Sequence, residues 1–158
     1  MELAQMGDFG ALRQKESVAE LLELNRVTAP YGLALTEEQA IALSQNREAA
    51  LRQTARLEFG GGILSKLVLA FRDSPYLPGD DPVEILSELT ELFYEYKNET
   101  LDALTDDELL TAMKTAFDGP CHGSTEHLAS KSLEALARYI RSGPENESAD
   151  GDDNDEWD

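Results

Sequence analysis

The segment LEFGGGILSKLVLAF, residues 57–71, decides the fold class of this chain. Three consecutive glycines follow a long amphipathic pattern, and the run from Ile63 to Phe71 after them is interrupted by only two polar residues. A helix that is apolar on nearly every side has to be buried. The sequence therefore predicts a short central helix, residues 62–72, wrapped by longer helices.

The flanking segments carry helical patterns. Apolar residues recur at intervals of three and four in residues 36–58 and 82–103, which is the spacing of an amphipathic helix. Alternation of apolar and polar residues nowhere extends far enough to form a sheet, so the chain is predicted to be all-α. A helix start is predicted where a short polar side chain can accept a hydrogen bond from the amide three residues later. A Glu or Gln at that later position then accepts a hydrogen bond from the amide of the first residue. Five such pairs, called capping boxes, are present. They are Ser17 with Glu20, Thr36 with Gln39, Asp81 with Glu84 (with Pro82 at the first helical position), Thr105 with Glu108 and, imperfectly, Ser124 with His127.

The chain length of 158 residues suits one domain with one core. We expect a frayed N-terminal segment over residues 1–15 and an all-helical domain over residues 16–142. Gly143 and Pro144 should end the last helix. A disordered acidic tail is predicted for residues 143–158. The predicted architecture is a compact bundle of about six helices around the short buried one.

The formal net charge is -19, and it is distributed unevenly. Residues 144–158 contain eight acidic residues and no Lys or Arg, so they carry -8 and residues 1–143 carry -11. Such a chain repels phosphate backbones and anionic lipid, so direct binding of nucleic acid or of a membrane is disfavoured. Trp157 is the aromatic residue of the tail that could anchor a short interaction motif.

The region around the single cysteine is interpreted as a loop with a helix cap. Cys121 has no second cysteine with which to form an internal disulfide, and the chain starts with no secretory signal pattern, so a cytoplasmic location is expected. His122 and His127 are five residues apart, which does not place two metal ligands on one helical face. We predict no metal site, no catalytic residue and no cofactor.

The glycine break has two interpretations, and the sequence leaves both open. Glycine supplies positive φ and close backbone approach where the chain turns into a buried helix. Alternatively, exposed amides at a helix start could bind an anion with nearby cations, or nearby carboxylates could bind a metal. The carboxylates could equally be ion-pair partners within the bundle. The candidate ligand-binding residues are Arg56, Glu58, Gly60, Gly61, Gly62, Lys66, Arg72, Asp73 and Glu99.

Several strings of the sequence resemble a small bacterial protein family catalogued as domain of unknown function 6323. The strings are LEFGGGIL at residues 57–64, AF at 70–71, DSPYL at 73–77, FY at 93–94, KNETL at 97–101 and TDDEL at 105–109. The likeness runs from about Ser17 to Arg141 and lies mainly in the glycine triplet and in DSPY. The resemblance implies a bacterial cytoplasmic setting. It implies no activity, cofactor or catalytic residue.

Three functions are compatible with these observations. The first is a non-enzymatic, adaptor-like interaction module whose partner is another protein, with a basic partner favoured by the acidic surface. The second is a small helical ligand-binding protein or enzyme with a site at the Gly60–Gly62 break, binding an anion through its amides with Arg56, Lys66 or Arg72, or a metal through Glu58, Asp73 and Glu99. The third is an acidic mimic of nucleic acid. Whether the chain is an enzyme stays open, with a non-enzymatic role preferred.

Overall fold

The computed structural model describes residues 2–58, 62–78 and 81–142, with the backbone alone for residues 2–11. All regular structure in these ranges is helical, so the predicted fold class is confirmed. A 3-10 turn (Ala29–Tyr31) follows the first helix, and a π segment (Leu128–Leu133) joins the last two without a break. Taken as one irregular helix, residues 125–142 complete the predicted six. The helices are α1 (Glu2–Thr28), α2 (Glu37–Thr54), α3 (Leu64–Ala70), α4 (Val83–Glu99), α5 (Asp106–Asp118), α6 (Thr125–His127) and α7 (Glu134–Ser142).

Helix α3 lies at the centre of the bundle, as its apolar sequence predicts. It contacts α1, α4 and α5, and its Leu64, Leu67 and Val68 are buried. The helix is shorter than the predicted span of residues 62–72, because Phe71 already leaves the helical geometry. Burial of this face removes its apolar side chains from water and stabilises the helix, whereas Lys66 stays exposed and Leu69 and Ala70 are only partly buried.

Two of the predicted helix starts form complete capping boxes. Thr36 accepts from the amide of Gln39 and Thr105 accepts from that of Glu108, and both partners return a side-chain hydrogen bond. Ser124 accepts from the His127 amide at 3.1 Å. These caps satisfy amides that have no intrahelical partner.

Two predicted helix starts are wrong. Ser17 lies inside α1, and its buried hydroxyl is 2.8 Å from that of Ser44 on α2. Helix α1 begins at Glu2, within the segment predicted to be frayed, and ends at Thr28, two residues before Pro30. Asp81 does not cap α4, whose N-cap is Pro82 without a side-chain hydrogen bond.

The π segment resolves a mismatch in the apolar pattern. Leu128 and Leu133 are both buried, although an interval of five residues does not place two side chains on one face of an α-helix. The wider turn of the π segment brings them to the same side. The carbonyl oxygen of Ala129 in this turn accepts from the Tyr96 hydroxyl at 3.1 Å.

The acidic tail predicted for residues 143–158 lies outside the described residues. Within the described ranges, no helix is both long enough and apolar enough to cross a membrane.

Candidate functional site

The carboxylate of Glu58 is held inside the bundle, just before the glycine break. Its Oε1 accepts from Nε of Arg47 at 3.0 Å, from the hydroxyl of Tyr94 at 2.5 Å and from the amide of Ile63 at 3.3 Å. Arg47 belongs to α2 and is 1% exposed, and Tyr94 belongs to α4. Burial, reinforced by the negative charge of Glu58, raises the pKa of the Tyr94 phenol far above its ordinary value. Glu58 therefore ties α2 and α4 to the start of α3.

Gly62 allows the chain to pass this cluster. Its φ is +55°, a left-handed conformation that favours glycine. A Cβ added at this position would overlap the Glu58 carboxylate and lie 2.7 Å from Nη2 of Arg47. The geometry supports the structural interpretation of the break at Gly62. Gly60 and Gly61 lie outside the described ranges.

Arg56 and Glu99 form ion pairs at the C-terminal end of α4. Arg56 donates to Asn98 at 2.6 Å and to Asp102 at 2.8 Å, which joins the ends of α2 and α4. The Arg56 hydrogen bond is the main cause that lowers the pKa of the Asp102 carboxyl. Glu99 pairs with Arg141 of α7 at 3.0 Å. Both predicted candidates thus bridge helices.

An open groove of about 630 Å³ lies between α1, α3 and α5. Its walls carry apolar side chains of all three helices together with three cations. We call it the cationic groove, and the residues that line it are Val27, Leu69, Ala70, Leu110, Lys66, Arg72 and Lys114, together with Asp107, Thr111 and Thr115.

Two of these cations are paired. Lys66 lies 3.3 Å from a carboxylate oxygen of Asp107, and both side chains are exposed. Lys114 lies 2.8 Å from Asp73 and 2.9 Å from Asp118. The hydrogen bond from Lys114 is the main cause that lowers the pKa of the Asp73 carboxyl. Pairs of this kind leave little net charge at either lysine.

Arg72 is different. Its guanidinium carbon lies 4.9 Å from the centre of the Tyr31 ring, and Nη1 donates to the carbonyl oxygen of Leu69 at 2.6 Å. No carboxylate of the described residues forms an ion pair with it, and within the same residues its buried Nε has no acceptor. The neighbouring Asp73 carboxylate accepts a hydrogen bond from Lys114, and its interaction with Arg72 is only electrostatic, at longer range.

The structure divides the predicted site residues into three groups. Lys66 and Arg72 line the cationic groove, and Asp73 reaches it through Lys114. Glu58 and Gly62 belong to the internal cluster around Arg47. Arg56 and Glu99 lie at the end of α4. One shared pocket for all of them is not formed in the parts of the chain that are described.

A metal bound jointly by Glu58, Asp73 and Glu99 finds no support in this arrangement. The three carboxylates pair with different cations, namely Arg47, Lys114 and Arg141 in that order. The described part of the chain contains no group of three or more His, Cys, Asp or Glu residues arranged to hold a metal ion.

The Cys121 region packs against the DSPY segment, residues 73–76. The Tyr76 hydroxyl lies 3.3 Å from Nδ1 of His122, and the Tyr76 ring is set edge-on to that of Phe117. Cys121 is buried, with its sulfur 3.4 Å from the Ser132 hydroxyl. The segment that contributes to the family resemblance thus holds the loop before α6 in place.

Sequence reasoning missed Tyr31, Val27 and Lys114. Lys114 lies on the same face of α5 as Asp107 and Thr111, because intervals of four and three residues align on a helix. That spacing was a usable signal. Val27 reaches the groove through the packing of α1 on α3, and Tyr31 is connected to it by its contact with Arg72; no local pattern indicates either.

The comparisons with known proteins identify a family and nothing more. No curated protein and no solved structure matches this chain. A family model with the description "family of unknown function (DUF6323)" matches residues 20–146, which include every helix of the structure except the first part of α1. The chain therefore belongs to the DUF6323 family.

Proposed function

We propose that this protein is a non-enzymatic interaction module of the bacterial cytoplasm that binds a partner protein in the cationic groove. The partner contributes a segment in which carboxylates flank an apolar side chain. The observation that carries the proposal is Arg72, a guanidinium without a carboxylate partner among the described residues, beside apolar groove walls. The remainder of the surface, which is acidic, repels such a segment and leaves the groove as its favoured place.

The chemistry of the groove supports this occupant. The guanidinium of arginine is always charged and matches the geometry of a carboxylate, with which it forms strong hydrogen bonds. The buried Nε without an acceptor is an unfavourable arrangement that reorientation toward an incoming carboxylate would relieve. Val27 and Tyr31 are 45% and 53% exposed, so an apolar side chain of the partner would cover surface that is now in water.

The shape of the groove favours a segment of chain over a small molecule. Small-molecule sites are concave and enclose most of the ligand, whereas this groove is open. A second depression of about 360 Å³ runs along α1 beside it, and Val27 lines both. Glu20 and Glu23 line this second depression, so it would repel the acidic residues of the segment and suits only its apolar or basic ones.

The alternative site at the Gly60–Gly62 break receives less support. Glu58 and the Ile63 amide, which an anion or metal would need, already bind to each other and to Arg47 and Tyr94. The basic partner expected from the net charge stays a prediction for the acidic faces of the molecule. The groove contains Arg72, a cation without a carboxylate partner among the described residues, and this makes it the more specific feature.

Site-specific crosslinking tests the proposal. A photoreactive amino acid replaces Thr111, an exposed residue of the groove, in the full-length chain, which is then irradiated in a bacterial lysate. We expect crosslinks to one partner segment that contains acidic residues next to an apolar one. Arg72→Glu and Lys66→Glu should abolish these crosslinks. Arg52→Glu, at an exposed arginine of α2 outside the groove, is the matched control and should retain them.

Two results would overturn the proposal. One is a set of crosslinked segments that lack acidic residues. The other is a yield that Arg72→Glu and Lys66→Glu leave at the level of the control while thermal melts show all three variants folded.

A further inference from the structure

The chain itself contains a segment with the chemistry proposed for the partner. Residues 144–158 hold eight carboxylates and no cation, and Trp157 stands among them in the string DEWD at residues 155–158. Trp157 is the only large apolar side chain of the segment. Tryptophan beside carboxylates offers both an apolar surface and the charges that an arginine attracts.

We propose that residues 144–158 bind in the cationic groove of the same chain, with Trp157 over the apolar wall and acidic residues at Arg72. The segment then competes with a partner's acidic segment for the groove, so it regulates the site. This inference rests on the proposed function.

The length of the segment permits this docking. Helix α7 ends at Ser142, and the 16 residues after it can span up to about 55 Å when extended. A domain of this size has a radius of gyration of about 14 Å, so its diameter is smaller than that reach. A segment of this length can therefore extend far beyond the end of α7 along the surface of the bundle.

Electrostatics favour the groove over other faces. Helix α4 presents a row of five glutamates at intervals of three and four residues, which repel an acidic segment. The pKa of Glu95 in this row is raised by its partial desolvation and by the neighbouring Glu99, Glu134 and Glu91. The groove instead offers Arg72, which has no carboxylate partner among the described residues, beside apolar surface, while its two lysines are paired with Asp107, Asp73 and Asp118.

Docking within one chain does not require tight binding. A short linker holds the segment at a local concentration in the millimolar range. The groove can therefore be occupied within one molecule even when the same interaction between separate molecules is too weak to detect. Because the attraction involves exposed charges, it weakens as salt is added. A partner with a better-fitting segment can then displace it.

Trp157 provides a direct readout, because the chain has one tryptophan. Its emission and its quenching by acrylamide are measured in the full-length protein and in a free peptide of residues 143–158. We expect the protein to show blue-shifted emission and weaker quenching than the peptide. Both differences should disappear at high salt, in Arg72→Glu and in Lys66→Glu, and persist in the control Arg52→Glu. Lys66→Glu exchanges an exposed side chain, so it remains informative if Arg72→Glu fails to fold.

Dilution separates docking within one chain from docking between two copies. A signal that is independent of protein concentration supports the proposal, and one that vanishes on dilution overturns it. Emission and quenching equal to those of the free peptide, or unchanged in both groove variants, also overturn it.

The crosslinking experiment at Thr111 distinguishes this inference from the proposed function. Crosslinks to a partner's acidic segment together with peptide-like Trp157 fluorescence would leave the function standing and reject the docking. A full-length chain with Asp152→Asn, Asp153→Asn, Asp155→Asn and Glu156→Gln should lose the Trp157 signal and capture more of the partner. Less capture by this chain would contradict competition for the groove.

Discussion

Arg47 and Glu58 form an ion pair inside the bundle, with Nε of the arginine 3.0 Å from Oε1 of the glutamate. Their side chains are 1% and 19% exposed. Breaking a buried pair by removing one partner leaves the other charge without compensation, which is far more unfavourable than losing an exposed pair.

Glu58→Gln should lower the free energy of unfolding by roughly 3 kcal/mol, because it removes the carboxylate 3.0 Å from the buried Arg47 guanidinium and leaves the more distant carboxylate of Glu48, at 4.0 Å. Urea unfolding followed by circular dichroism measures the loss. Asp107→Asn is the matched control, since it breaks an exposed pair with Lys66 and should lose less than about 1 kcal/mol. Equal losses in the two variants would show that the buried pair has no special role.

Gly62→Ala should destabilise the protein more than Gly32→Ala. Both glycines have positive φ, which in alanine costs about 1 kcal/mol. At Gly32 nothing lies within 4 Å of the added Cβ, whereas at Gly62 it meets Glu58 and Arg47. Overpacking adds about 1–3 kcal/mol at Gly62. Thermal melts of the two variants measure the difference, and a Gly62 variant no worse than the Gly32 variant would refute the steric argument.

Glu95→Gln should stabilise the protein at neutral pH. Partial desolvation of this exposed residue, together with neighbouring acidic residues, raises the pKa of Glu95 above its ordinary value of 4.5 in the folded state. A raised carboxyl pKa means that stability is present at low pH and is lost as pH rises through the folded pKa. The gain from glutamine should therefore be under about 1 kcal/mol at neutral pH, as for exposed charges, and disappear below the ordinary carboxyl pKa.

Chemical denaturation at a series of pH values checks this dependence. Glu16→Gln, at an exposed residue of α1, is the control for loss of one negative charge. A Glu95→Gln gain that persists at acidic pH would have a cause other than the ionisation of Glu95.

Thr36→Ala and Thr105→Ala should each lower the free energy of unfolding by about 1 kcal/mol, because each removes a capping box at the start of a helix. The two losses should add, since the caps belong to different helices. Thr111→Ala, at an exposed position inside α5, replaces threonine by a better helix former and should not destabilise. Denaturant unfolding of the two single variants and of the double variant is the measurement.

The parts of the fold that local chemistry determines were predicted from the sequence. The caps at Thr36 and Thr105 and the buried helix α3 follow from side chains close in sequence. Ser17 has the same local signal as these caps, yet its hydroxyl bonds to Ser44, 27 positions away. A tertiary contact replaced the local one there, and no sequence pattern shows that choice.

The candidate site was less accessible to prediction. Lys66, Arg72 and Asp73 were selected because they lie near the glycine break, whereas their common surface is formed with Lys114 and Tyr31. Residues more than forty positions apart meet there through the packing of α3 against α1 and α5. Their proximity in sequence to the glycine break therefore selected side chains of the groove, although they belong to it because of tertiary packing and not because of the break.

The π segment has a consequence for how the chain tolerates changes in length. Leu128 and Leu133 point to the same side because the wide turn accommodates one residue more than an α-helix has between them. Deleting Ser130, which is exposed, would bring the two leucines to an interval of four, the spacing of one α-helical face. Helix α7 would then keep its orientation against the core. A deletion usually displaces the helix that follows it. Here it would remove the one residue that the π segment has in excess of an α-helix.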